Sequence, residues 1–160
     1  MIDAHRIAPK LWMGGRPSPE ACAAFDVIVL CAAEHQPELP CRTINAPIDD
    51  SKPTNDEMAL VIKTAKQVNK LRAEGKRVLV TCYEGRNRSG IVVALAMMLN
   101  GSTAQSAIGR VRTARKPPSG FRPLSNDYFV RALKRMEEAL VPRKEALEKK
   151  LLKGSVFYAE

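Results

Sequence analysis

Two periods of apolar positions alternate along this chain, one of two residues and one near 3.6. Ile7 to Trp12 alternates weakly and stops at Gly14-Gly15, which predicts an opening strand and turn. Ser18-Pro19-Glu20 supplies a cap, a proline and an acid for the first turn of a short helix ending near Phe25. Val27 to Leu30 is a continuous β-branched run, the pattern of a strand covered on both faces. Residues 32–41, with Pro37 and Pro40, predict a loop, and Thr43 to Ile48 a further strand. Apolar positions 58, 61, 62, 65, 68 and 71 recur at helical spacing, so a helix is expected from Asn55 until Gly75 stops it. Val78 to Cys82 predicts a strand, and Ile91 to Leu99 a wholly apolar helix closed by Asn100-Gly101. Thr103 caps a helix to about Thr113, and Lys116-Pro117-Pro118-Ser119-Gly120 predicts a loop. Ser125 is the expected cap of a helix through about Leu140, interrupted at Pro142 and followed by a short charged helix at 143–152.

Strands alternating with helices predict an α/β fold: one domain with a central, mainly parallel twisted sheet flanked by helices. At 160 residues and 45% hydrophobic, one good core is affordable and two are not. We expect the domain to occupy 1–141 and a basic helix and tail to occupy 142–160. No run approaches 18 apolar residues and no leader pattern opens the chain, so a cytoplasmic monomer without a membrane span is expected. Cys22, Cys31, Cys41 and Cys82 form no C-x-x-C pair and there are two histidines, which predicts reduced thiols and no metal or other cofactor. His5 and His35 read as ordinary surface or cap residues, and Met97, Met98, Leu99, Tyr128 and Phe129 as core.

Charge changes this picture in one respect. Residues 1–100 carry 13 Lys/Arg against 11 Asp/Glu, whereas residues 101–160 carry 13 against 6. A basic C-terminal third favours anionic partners: phosphorylated protein, RNA or phosphoinositide headgroups. Arg110, Arg112, Arg115 and Lys116 read either as a lining of a site entrance or as a solvated helix face.

The chemistry concentrates in Cys82-Tyr83-Glu84-Gly85-Arg86-Asn87-Arg88-Ser89-Gly90. A strand before this stretch and an apolar helix after it aim backbone amides and a helix N-terminus at one spot, as a phosphate-sized anion requires. The thiolate of a cysteine is its nucleophilic form, and amides, helix dipole and guanidinium all favour it. Arg88 carries a planar fork suited to two phosphoryl oxygens. Ser89 is placed to donate a hydrogen bond to the sulfur. A C-x5-R spacing alone is weak; the preceding strand, Gly85, Arg88-Ser89-Gly90 and the apolar helix make it specific.

These residues, with Leu11-Trp12-Met13-Gly14-Gly15, Ala46-Pro47-Ile48-Asp49-Asp50 and Arg122-Pro123-Leu124-Ser125-Asn126-Asp127-Tyr128-Phe129 in the same order, resemble the dual-specificity branch of the cysteine-dependent protein tyrosine phosphatases. The resemblance implies a tyrosine-phosphatase-like fold and a metal-independent, two-step hydrolysis of a phosphoric monoester. Cys82 would become a phosphocysteine, and Tyr83, Glu84, Gly85, Arg86 and Asn87 would surround the phosphoryl group with Arg88. Asp50, three residues after Pro47, would be the general acid, with Asp49 as the alternative. Asn126 would buttress the loop, and Thr81 stands where the family usually has histidine. Phosphotyrosine, with phosphoserine and phosphothreonine, is the implied substrate. RNA 5′-phosphates or phosphoinositides would suit the same chemistry, and a non-catalytic phosphate-binding module is the alternative of another class, motivated by Thr81 and Glu84.

Overall fold

The computed structural model describes residues 1–158, with side chains described to residue 140 and again at 149–152. Five strands form one sheet: β1 (Ala4–Ala8), β2 (Leu11–Gly14), β3 (Val27–Ala32), β4 (Arg42–Ile48) and β5 (Val78–Thr81). Their spatial order is β1-β2-β5-β3-β4, and only the β1/β2 pair is antiparallel. The single opening strand expected from the sequence is therefore a hairpin. Pro9-Lys10, with Lys10 at φ 61°, reverses the chain inside the run that alternates, and alternation does not register a turn that keeps its phase.

The helices are α1 (Ala21–Ala24), α2 (Asn55–Ala73), α3 (Arg88–Leu99), α4 (Ala104–Ala114) and α5 (Asp127–Tyr158). Thr54 caps α2 in a reciprocal box with Glu57, and Gly75 at φ 82° follows its last turn. All residues from Arg88 to Met98 are buried, because α3 packs on the sheet and is enclosed by α2, α4 and α5, of which α2 and α4 also reach the sheet themselves. That explains a helix with no polar stripe. α5 continues past Pro142, where the sequence predicts a break; proline removes one amide from the ladder, but the flanking turns can carry the helix through. Its cap is Asn126 rather than Ser125: Asn126 Oδ1 accepts from the amides of Tyr128 and Phe129, at 3.0 and 3.3 Å.

Two thiols depart from expectation. Cys22 and Cys41 form a disulfide, with Cα atoms 5.4 Å apart. The parallel register of β3 and β4 pairs Val27 with Arg42, so the segments leading into both strands meet although 19 residues separate the cysteines. Cys31 and Cys82 are free and buried, and burial pushes the Cys31 thiol well above its ordinary range. Tyr128 is half exposed rather than core, whereas Phe129, Met97 and Met98 are buried.

Candidate active site

The segment between β5 and α3 owes its shape to where its carbonyls go. Tyr83 O accepts from the Arg16 amide at 3.1 Å, Arg86 O from the Leu124 amide at 3.0 Å, and Asn87 O from the Ile91 amide at 2.9 Å. Glu84 O and Gly85 O accept from Arg115, Nη2 at 3.0 Å and Nε at 2.9 Å. Five successive carbonyls are thus bound on the outer side of the loop. In a trans peptide the following N–H points the opposite way, so the amides of Glu84 through Arg88 face the inner side. Among the described residues these amides have no acceptor. Gly85, at φ 68°, is required here: a Cβ would lie 2.5 Å from the Gly14 carbonyl carbon. Gly90 lets α3 approach Leu124, whose side chain a Cβ would meet at 2.9 Å.

Inside this bowl, Cys82 Sγ lies 3.2 Å from Ser89 Oγ. Cys82, Arg88 and Asp50 line one small cavity of about 130 Å³ together with Tyr83, Glu84, Arg86 and Asn87. Larger grooves lie elsewhere, but none of them contains Cys82. Arg88 is only 8% exposed. Its two terminal nitrogens bind Glu34 in a bidentate pair, Nη2 to Oε1 at 2.6 Å and Nη1 to Oε2, while its buried Nε has no partner. The Arg88 hydrogen bonds hold the Glu34 carboxyl down at about 2.

Asp50 reaches the cavity from the end of β4. Its Oδ2 accepts from Asn87 Nδ2 at 3.0 Å and its Oδ1 from Asn126 Nδ2 at 2.8 Å. Asn126 also donates its amide to Asn87 Oδ1 at 3.1 Å, so one residue ties the Asp50 turn, the loop and α5 together. Asp49 differs: its side chain is exposed outside the cavity lining, and its amide donates to Glu57 Oε2 at 2.8 Å. Thr81 is buried and donates its hydroxyl to Val29 O at 2.8 Å, clamping β5 to β3 one residue before Cys82.

The side chain of Glu84 pairs with Arg86, 3.1 Å away, and Arg86 also donates to Ser125 Oγ at 2.9 Å and lies over Phe121. The acidic charge inside the motif is therefore paired at the rim. Tyr83 is exposed and carries Arg16 over its ring at 4.1 Å.

Three contributors escape a reading of the sequence. Glu34, 54 positions from Arg88, lies in a loop that offers no pattern. Asp3 and Arg115 form the other. Arg115 is fully buried, neither an entrance residue nor a solvated one, and its fork holds both oxygens of Asp3. His5 Nδ1 lies 3.1 Å from the same guanidinium. Burial alone would push the Asp3 carboxyl up; the hydrogen bonds and charge of Arg115, with the Gly15 amide, outweigh it and leave the group below its ordinary value. Burial and Arg115 push His5 down. Arg110 and Arg112 are likewise spent on backbone carbonyls, of Ile7 and of Pro123 and Leu124. The one available signal was a basic residue at the end of a helix followed by a proline loop, which does not distinguish a buried fork from an exposed one.

Among the described residues no group of three His, Cys, Asp or Glu side chains is arranged to hold a metal ion, and no helix is long and apolar enough to cross a membrane. The fold is shared with solved structures. A mouse dual specificity phosphatase complexed with zinc tungstate is 22% identical, with 90% of this chain and 92% of that one covered at a TM-score of 0.76. Human DUSP28 is 24% identical over 88% and 96% of the two chains, with a TM-score of 0.74. The human tyrosine phosphatase-like serine/threonine/tyrosine-interacting protein is 20% identical over 88% and 99%, at 0.71. No curated protein sequence matches the chain significantly. Residues 18–139 match the family described as dual specificity phosphatase, catalytic domain. A cysteine at the floor of an amide-lined bowl, on this fold and with this family match, makes the chain a member of the dual specificity phosphatases, the cysteine-dependent protein phosphatases of this branch.

Proposed function

We propose that the domain hydrolyses phosphotyrosine, and phosphoserine and phosphothreonine with it, through a phosphocysteine on Cys82. The observation that carries this reading is the outward bonding of five successive loop carbonyls around the Cys82 sulfur, which leaves the amides to hold three phosphoryl oxygens. Arg88, fixed by Glu34, contributes its remaining N–H groups to the same oxygens. The Cys82 thiolate attacks phosphorus; the S–P bond forms as the bond to the substrate oxygen breaks, and protonated Asp50 gives its proton to that oxygen. Asp50, now a carboxylate, takes a proton from water as the water oxygen attacks phosphorus. Phosphate leaves, and the departing thiolate is stabilised by the Ser89 hydroxyl 3.2 Å away. The cavity lining supports Asp50 over Asp49 as the acid. The pairing of Glu84 with Arg86 supports catalysis over passive binding, because it offsets the added negative charge beside the bowl.

The test is vanadate-sensitive hydrolysis of para-nitrophenyl phosphate and of phosphopeptides by the wild type and by Cys82→Ser. Turnover should vanish in the variant while phosphopeptide binding persists; turnover that survives the loss of the thiol overturns the reading. Asp50→Ala should lower kcat by about a hundredfold on substrates with poor leaving groups, with Asp49→Ala near wild type. On a matched panel, phosphopeptides should be hydrolysed faster than RNA 5′-phosphates and inositol lipids.

A further inference from the structure

The small cavity around Cys82 adjoins a chain of larger grooves. It shares Asp50 and Asn87 with an adjoining groove that reaches Tyr128 and Arg131 on α5. That groove in turn shares Tyr128 and Arg131 with a recess of about 530 Å³ between α2 and α5, and the recess shares Ile62 with a further groove along α2. On α5 the residues facing the recess fall at 128, 131, 132, 135, 136 and 139, one helical stripe about 16 Å long. Its floor is aliphatic, from Met58, Ile62, Ala132 and Met136. Its edges carry Lys52, Arg131 and Arg135, and the further groove along α2 carries Lys63, Lys66 and Lys70, all exposed. No residue lining these two grooves is acidic, and among the described residues none of the six cations has an ion-pair partner.

Six cations without an ion-pair partner, three along the aliphatic trough and three along the neighbouring groove, are a poor arrangement for a solvated face, because like charges raise one another's energy without a counter-charge. They suit a ligand that brings carboxylates and apolar side chains together. We propose that this track seats an acidic segment of the phosphorylated protein substrate, its apolar side chains lowered between α2 and α5 and its carboxylates against the bordering cations, while the phosphorylated residue enters the Cys82 cavity. The inference rests on the phosphatase reading for its substrate and extends it to what lies beside the phosphate. Methionines on the floor adapt to varied apolar side chains, and a trough between two helices is the shape that takes a peptide strand or helix. An RNA strand calls for stacking surfaces, and Tyr128 is the one aromatic ring in the two grooves. A lipid surface is flat and does not reach a recessed floor.

The test uses the full chain and phosphotyrosine peptides of common core, extended on either side by an Asp/Glu/Leu segment or by a neutral segment of equal length. At low salt an acidic extension should raise kcat/KM by about tenfold, through KM, and 0.5 M salt should erase most of the gain. The charge reversal Arg135→Glu with Lys66→Glu should abolish the gain while para-nitrophenyl phosphate turnover stays at the wild-type level. Equal kcat/KM for acidic and neutral extensions, or a gain that survives the reversal, overturns the inference. So does tighter competition by a 5′-phosphorylated oligoribonucleotide or by phosphatidylserine vesicles than by the acidic peptide. Binding of the unphosphorylated acidic peptide, followed by fluorescence polarisation, reads the track without chemistry. If that binding is present and lost on reversal while no phosphoester is hydrolysed, the phosphatase reading fails and the track stands; hydrolysis without that binding is the converse.

Discussion

Arg88 has its charge spoken for before any substrate arrives. Glu34 takes both terminal nitrogens and Nη1 also donates to Ile48 O at 3.5 Å, so what remains for a phosphoryl group is the unpartnered Nε and the second N–H of Nη2. The pair costs little in burial on the Glu34 side, whose side chain is 50% exposed. Its consequence is orientation: a guanidinium on a long stem is pinned in one plane, which is what bidentate capture requires. Glu34→Ala should therefore lower kcat by about tenfold or more and weaken vanadate inhibition, with little change in Tm. Glu34→Gln keeps one carbonyl acceptor and should recover part of the loss. Because the Glu34 carboxyl is held at about 2, the pair is present above its ordinary value of 4.5 and is lost only as pH falls through about 2. The acid limb of the wild-type pH–rate profile should then keep its midpoint in Glu34→Gln. A displaced midpoint, or a loss of kcat matched by a loss of fold, would mean that Glu34 does not act by orienting Arg88.

The elements around the loop divide its support between them. β5 delivers Cys82, α3 delivers Ser89 and Arg88, and the β1/β2 hairpin meets the end of α4 beneath the loop through Asp3, His5 and Arg115. Arg115 supplies hydrogen bonds to two of the five outward carbonyls and is fully buried. Arg115→Lys removes the fork and leaves Asp3 with a point charge that cannot also reach Glu84 O and Gly85 O. We expect a loss of a few kcal/mol in stability, the range for breaking a buried network, together with a lower kcat. The cluster also carries a pH dependence of definite sign. His5 and Asp3 are both held below their ordinary values, so each favours its deprotonated form in the folded protein. As pH falls below 6.5 the unfolded chain binds the His5 proton first, and below 3.8 the Asp3 proton, so stability declines with acid in both windows. Thermal melts from pH 8 to 5 should show the His5 part of this decline reduced in His5→Gln.

Much of this was legible in the order of residues, and the reason is local physics. The strand and helix that flank the loop and the extent of α2 depend on neighbours within about ten positions, where turn chemistry and periodicity act. Asp50 is reached through the family resemblance, and the partners that hold it, Asn87 and Asn126, lie 37 and 76 positions away. Glu34 and the Asp3–Arg115 pair depend on contacts across 54 and 112 positions, set only when the sheet has its order. The Pro9-Lys10 turn was hidden for another reason: it reverses the chain without disturbing the alternation that was being read.

At the scale of the whole molecule, the sheet separates chemistry from reinforcement. β3, β4 and β5 run parallel, with Ala32, Ile48 and Thr81 at one end and Val27, Arg42 and Val78 at the other. Cys82, Asp50 and Glu34 all follow strand C-terminal ends, as ligand sites do in parallel sheets. Cys22 and Cys41 precede the N-terminal ends of β3 and β4, so their disulfide lies at the far edge from the reacting sulfur. A cross-link over a separation of 19 residues restricts the unfolded chain by about 3 kcal/mol in the chain-entropy account. Cys22→Ser with Cys41→Ser should thus lower Tm by about 10 °C. Turnover of para-nitrophenyl phosphate at 25 °C should hold, because no bond in the loop or from Glu34 to Arg88 passes through that end of the sheet. A double variant with full Tm would show that the unfolded chain is not what the bond constrains. One with full Tm deficit and a parallel loss of kcat would show that the two ends of β3 are coupled, and that the segment from Ala33 to Cys41 carries the constraint of the cross-link to Glu34.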